Sequence, residues 1–95
     1  MLAKKQIEWS LSAQADLSDI YALIVKDNPQ AAEQVVNFVI ASVANLMSFP
    51  LIGRMGGKSK TRELVLNRYP YTIVYRVSAN TIRIVTIVHQ SKCYP

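Results

Sequence analysis

The stretch "YTIVYRVSANTIRIVTIVH", residues 71–89, constrains this chain more than any other. Two runs rich in β-branched and aromatic residues flank "SAN", where Asn80 tolerates a positive φ, so the segment predicts a β-hairpin over 71–77 and 81–89. Residues 62–67 predict a further strand. Within "TRELVLNRYPYTIVYRV" (61–77) stand Arg62, Arg68 and Arg76 beside Tyr69, Tyr71 and Tyr75. Long cationic side chains are rarely buried, so one face of these strands must meet water, an anion or a partner. Period-two alternation assigns Ile82, Ile84 and Val88 to the core face. It assigns Arg83, Val85, Ile87 and His89 to the other, partly open face.

Helices are expected upstream. "QIEW" (6–9) reads as a short extended stretch, and Ser10 or Ser12 offers an N-cap. Asp16 and Asp19 follow early in the helix, where the macrodipole favours acids. Leu17, Ile20, Tyr21 and Ile24 share one helical face. "DNP" (27–29) ends this helix and starts another, with Asn28 as cap and Pro29 at the first helical position. The second helix is expected from about Gln30 to Ser48, with Ala32, Val36, Val39, Val43, Leu46 and Met47 as its stripe. Val35, Phe38 and Ile40 fall off that stripe, which makes the helix too apolar for a one-sided surface element. A link this short makes an antiparallel helical hairpin. Pro50 stops the second helix, and "LIGRMGGKSKTR" (51–62) reads as a loop.

The order is therefore strand, helix, helix, strand, strand, strand. This is an α+β fold, β-α-α-β-β-β, with the helical hairpin on one face of a small, mainly antiparallel sheet. Residues 1–95 form a single domain on length alone.

Charge is divided unevenly. Residues 1–50 carry three Lys/Arg and five Asp/Glu, 3 − 5 = −2, whereas residues 51–95 carry eight Lys/Arg and one acid, 8 − 1 = +7. The C-terminal half thus suits an anionic partner, or else presents a solvated basic face. Lone Cys93 excludes an intrachain disulfide and fits a reduced intracellular setting. No secretory leader is visible after Lys4 and Lys5. Residues 34–53 carry no charge, but Gln34, Asn37, Ser42, Asn45, Ser48 and Pro50 interrupt them, so a buried helix is expected and no membrane span.

Several chemistries have little to stand on. "GRMGG" lacks the strand and the Lys-Ser/Thr of a phosphate loop. One His, one Cys and scattered acids do not make a metal site. The remaining constellation is basic and aromatic: Arg54, Lys58, Lys60, Arg62, Arg68, Arg76, Arg83 and Lys92, interleaved with tyrosines including Tyr94. Cations beside stacking platforms suit single-stranded nucleic acid; cross-strand pairing and core packing account for the same residues. His89 has the chemistry of a general base, with Arg62, Arg76 or Arg83 to stabilise a phosphorane, and equally that of a structural hydrogen-bonder at a strand end.

Taken in order, "W…A..DL.DIY" (Trp9, Ala15 to Tyr21), "NP.AA" (Asn28 to Ala32), "L…P..GR" (Leu46 to Arg54), "TREL" (61–64), "YPYTIVYRV" (69–77), "IRIVTIVH" (82–89) and the closing "KCYP" resemble the RelE/ParE superfamily of toxins from bacterial type II toxin–antitoxin modules. The likeness runs from residue 7 to residue 95, and "YPYTIVYRV…IVH" with a terminal Pro looks more like the ParE branch. It implies a cytoplasmic toxin, of the kind associated with plasmid stabilisation, needing no cofactor or metal. A cognate antitoxin would neutralise it by wrapping it, giving a hetero-oligomer or accompanying a homodimer. On the ParE side the resemblance implies inhibition of DNA gyrase by binding. Arg62, His89, Lys92 and Tyr94 would then meet the target, and Val35, Phe38, Arg76, Arg83, Val85 and Ile87 the antitoxin. On the RelE side it implies an endoribonuclease that cuts mRNA on the ribosome, with Arg62, Arg83, His89, Lys92 and Tyr94 as the catalytic set. A third reading is an attenuated toxin that only binds its antitoxin. The ParE-like ending usually has two adjacent basic residues after His-x; here Ser91 stands at the first position and Lys92 at the second.

Overall fold

The structure is a computed structural model and describes residues 5–57 and 60–91. Lys58, Lys92, Cys93 and Tyr94 lie outside the described residues. Its elements are β1 (Gln6–Trp9), α1 (Leu11–Val25), α2 (Pro29–Asn45), β2 (Arg54–Met55), β3 (Thr61–Val65), β4 (Tyr71–Val77) and β5 (Thr81–His89). They form one sheet of order β1-β5-β4-β3-β2, antiparallel except for the parallel pair β1–β5. The expected α+β architecture is therefore present, with one strand more than expected. Arg54 and Met55 pair with Glu63 and Arg62 and turn part of the anticipated loop into an edge strand.

Ser10, not Ser12, caps α1. Its hydroxyl oxygen accepts the Ala13 N–H at 2.9 Å and donates to Val85 O at 2.7 Å, while its own N–H reaches Ile84 O at 3.0 Å. One residue thus closes the helix start and carries β1 onto β5. Asn28 caps α2 through Ala31 N–H at 3.1 Å, and Pro29 occupies the first turn. The helix ends at Asn45, short of the expected Ser48. From there the N–H groups of Leu46, Met47 and Ser48 bond three residues back, the tighter spacing that closes many helix ends.

Both helices contribute to the core on one side of the sheet. Ala13 and Ile20 of α1 meet Val35, Val39, Val43 and Leu46, together with Ile73, Tyr75, Ile82, Ile84 and Ile87 from the strands. The buried stripe of α2 therefore includes Val35, which is 5% exposed, whereas Val36 is half-buried. This corrects the expectation that Val35 lies on an outer surface. Residues 35, 39, 43 and 46 stack every three or four positions, and Val36 is turned about 100° away from that line.

A β-bulge overturns the expected faces of β5. Tyr75 pairs with Ile84, but Val74 pairs with Thr86, so Val85 is an extra residue in the strand. One inserted residue reverses the alternation beyond it. Ile87 pairs with Ile73 and His89 with Tyr71, which puts both on the helix side. Ile87 is 5% exposed and belongs to the core, so its assignment to an open surface is corrected. Val88, expected in the core, pairs with Thr72 on the far side.

Past Trp9, no strand among the described residues pairs with β5 on that side, and Asp16 of α1 takes over. Its Oδ2 accepts the Ile87 N–H at 2.9 Å and the Thr86 hydroxyl. The carboxylate of Asp16 serves the sheet edge rather than the helix dipole.

Candidate functional site

Among the described residues, most of the cations and tyrosines singled out above gather in three places, while Arg68 and Tyr69 lie beside Phe38 of α2. The first is a lock between residues 50–54 and the strands β3 and β4. Arg62 and Tyr75 are directly opposed on the helix side of the sheet. The Tyr75 hydroxyl accepts the Gly53 N–H at 2.8 Å and donates to Pro50 O at 2.9 Å. Arg62 Nη1 donates to Gly53 O at 2.8 Å. A Cβ on Gly53 would lie 2.6 Å from the Tyr75 hydroxyl, so the "GR" of this segment requires glycine for close approach. Arg54 then pairs with Glu63 at 3.1 Å. "GR" and "TREL" are in this way two halves of one fastening. Burial lifts the Tyr75 phenol above its ordinary pKa, opposed by the Gly53 hydrogen bond and the Arg62 charge. Tyr75 is 0% exposed, so its aromatic ring is core and its hydroxyl the loop's anchor.

The second place is the sheet face turned away from the helices. Glu8, Arg83 and Arg76 fall in one row across β1, β5 and β4. Arg83 Nη1 bonds Glu8 Oε1 at 2.8 Å, a pair whose side chains are 50% and 59% exposed and which is therefore worth little stability. Arg76 sits directly across from Arg83, is exposed, and has no acid partner among the described residues. Like charges directly opposed cost stability unless an anion lies between them, so this row is suited to a carboxylate or phosphate.

The third place is the end of β5. His89 stands edge-on to Tyr71, with ring centroids 5.4 Å apart. His89, Tyr71 and Ile87 share a hollow of about 230 Å³ with Asp16, Asp19 and Leu23 of α1. Arg83 and His89 thus occupy opposite faces. Arg62 lies two strands away, occupied with Gly53.

The sequence did not point to a groove on the outside of the helical hairpin. Trp9, Leu17, Tyr21, Val36 and Ile40, with Gln14 and Ser18, line about 470 Å³. Tyr21 is 39% and Ile40 47% exposed, so this apolar surface is accessible. Phe38 is half-buried and packs edge-on against Tyr69 at 5.3 Å on another side of α2. Ile40, apolar yet off the expected stripe, is the signal that could have found the groove; which neighbours form its walls was not readable. Among the described residues no group of three His, Cys, Asp or Glu could hold a metal ion, and no helix is long and apolar enough to cross a membrane.

Comparisons with known proteins place this geometry. The chain is 40% identical over 94 residues to "Putative toxin Y4kP" of Sinorhizobium fredii (strain NBRC 101917 / NGR234), covering 99% of this chain and 97% of that one. It superposes with a TM-score of 0.82 and 28% identity on a chain of the chromosomal ParDE toxin–antitoxin system from P. aeruginosa, covering 90% of this chain and 96% of that one. A chain of the RelBE2 toxin–antitoxin complex from Mycobacterium tuberculosis shares the fold, at a TM-score of 0.59 and 22% identity over 92% and 99% of the two chains. Residues 7–94 match the family described as the ParE toxin of the type II toxin–antitoxin system parDE. The chain belongs to the ParE toxin family of type II toxin–antitoxin systems.

Proposed function

We propose that this toxin stops growth by binding DNA gyrase in the cytoplasm, without cleaving RNA, and that a cognate antitoxin neutralises it. The observation that carries the reading is the separation of Arg62, Arg83 and His89. A phosphorane needs a base and its stabilising cations within hydrogen-bond reach of one phosphate. Here the arginine at 83 and the histidine at 89 are on opposite faces, and Arg62 is bonded to a loop carbonyl. That arrangement favours a binder over a nuclease. In the target contact Lys92 and Tyr94, which follow β5 in the sequence, are the acting groups, while Arg62 acts by holding the 50–54 loop.

The antitoxin uses two surfaces in this reading. An acidic segment crosses the Arg76–Arg83 row with Val85 beside it, and an amphipathic helix seats its apolar face in the Trp9–Tyr21–Ile40 groove. Phe38 belongs to neither surface, since it packs against Tyr69 on another side of α2.

Purified toxin added to a supercoiling reaction containing gyrase, and separately to a translating extract, tests the proposal. Supercoiling should be inhibited and mRNA left intact; Lys92→Ala should lose the inhibition with little change in stability, about 0.5 kcal/mol or less. mRNA cleavage that disappears in His89→Gln would overturn the gyrase reading.

A further inference from the structure

Residues 92–95 follow directly on His89, Gln90 and Ser91, and each of these three is tied down. The Gln90 N–H donates to Pro70 O at 2.7 Å. Its side-chain amide donates to Leu66 O at 3.1 Å and Tyr71 O at 3.2 Å, bridging both ends of the β3–β4 connection. The His89 ring rests against buried Tyr71. Its Nδ1 accepts the Ser91 N–H at 3.0 Å, and the Ser91 hydroxyl oxygen lies 2.8 Å from the same nitrogen.

A ring nitrogen that accepts an N–H carries no proton of its own, so in this arrangement Nδ1 is the acceptor and Nε2 the ring's N–H. A side-chain acceptor serving the N–H two residues onward is the geometry of an Asx-turn, with imidazole Nδ1 in place of a carboxamide oxygen. We propose that His89 and Gln90 are positioning residues, an imidazole-closed turn and a bridging amide that together set where residues 92–95 begin. Ser91 belongs to this device. Its hydroxyl and N–H converge on one nitrogen, an arrangement for which a basic side chain at 91 has no use.

The functional part of this inference rests on the proposed role of Lys92 and Tyr94, and the test separates the two. His89→Asn keeps an acceptor for the Ser91 N–H. His89→Phe keeps a ring against Tyr71 and removes the acceptor. Amide hydrogen exchange at Ser91 and growth inhibition under titrated induction are measured for both variants and for a chain ending at Ser91. His89→Asn should resemble the parent in both measurements. His89→Phe should speed Ser91 exchange and lower potency about fivefold, which corresponds to one ordinary hydrogen bond at about 1.4 kcal/mol per tenfold. Unchanged Ser91 exchange in His89→Phe overturns the turn. Faster exchange with unchanged potency, beside an inactive truncated chain, overturns the positioning role. Full potency of the truncated chain overturns the assignment of the target contact to residues 92–95, and with it the positioning role, while the exchange result still decides the turn.

Discussion

Gly53→Ala should be among the most damaging single-methyl additions in this protein. The new Cβ would stand 2.6 Å from the Tyr75 hydroxyl, 2.7 Å from its Cε1 and 3.0 Å from Glu63 O. None of these neighbours is the loose end of a flexible side chain. Tyr75 is fully buried and its hydroxyl is fixed by Pro50 O, while Glu63 O belongs to β3. Relief must come from displacing residues 50–54, which breaks the Gly53–Tyr75 bond and weakens the Arg62–Gly53 bond. Overpacking costs about 1–3 kcal/mol and a lost hydrogen bond adds ~1 kcal/mol, so a loss of about 2–4 kcal/mol is expected. In a domain of this size each kcal/mol lowers Tm by roughly 4–8 °C. Tyr75→Phe alone strands the Gly53 N–H and the Pro50 carbonyl and should cost about 1–3 kcal/mol. The double variant carries the diagnostic. Gly53→Ala has already broken the hydroxyl's bond, and removing the hydroxyl eliminates the 2.6 Å contact. Urea unfolding of the four proteins should therefore give a double-variant cost below the sum of the singles by at least ~1 kcal/mol. Additivity within about 0.5 kcal/mol, or a neutral Gly53→Ala, would refute the lock.

Other perturbations test other parts of the argument. The Tyr75 pKa is raised above 10.0 in the folded state, so its contribution to stability is complete below pH 10.0 and declines as pH rises through the raised value. Stability measured across that alkaline range should fall less steeply in Tyr75→Phe, and an identical slope counts against the buried phenol. Asp16→Ala strands the Ile87 N–H and the Thr86 hydroxyl and should cost about 1.5–3 kcal/mol in urea unfolding; an unchanged midpoint would show that water replaces the carboxylate freely. Ile40→Lys places a charge in the apolar groove while leaving the buried stripe of α2 intact. Antitoxin affinity should fall about tenfold or more, as for a residue worth over 1 kcal/mol, with toxicity retained. Undiminished affinity would remove the groove from the antitoxin contact.

Local chemistry determined much of this protein before any tertiary contact was known. β-branched residues on either side of "SAN" specify the β4–β5 hairpin, whose bounds 71–77 and 81–89 agree with the sequence reading. Asn28 and Pro29 specify the start of α2, because a cap acceptor and a missing N–H suit only that position. What escaped was non-local. β2 is two residues long and is a strand only because Glu63 and Arg62 pair with it. Asp16 looked like a helix-dipole acid because β5, the edge it completes, is remote in sequence. The largest reversal came from Val85. "IVTIVH" is apolar enough to alternate in either register, and nothing local reveals the extra residue. One bulge moved Ile87 into the core, placed His89 against Tyr71 and separated it from Arg83. A strand's composition decides that it is a strand, but the side-chain period is two, so a single insertion fixed by the partner strand decides which face every later side chain meets.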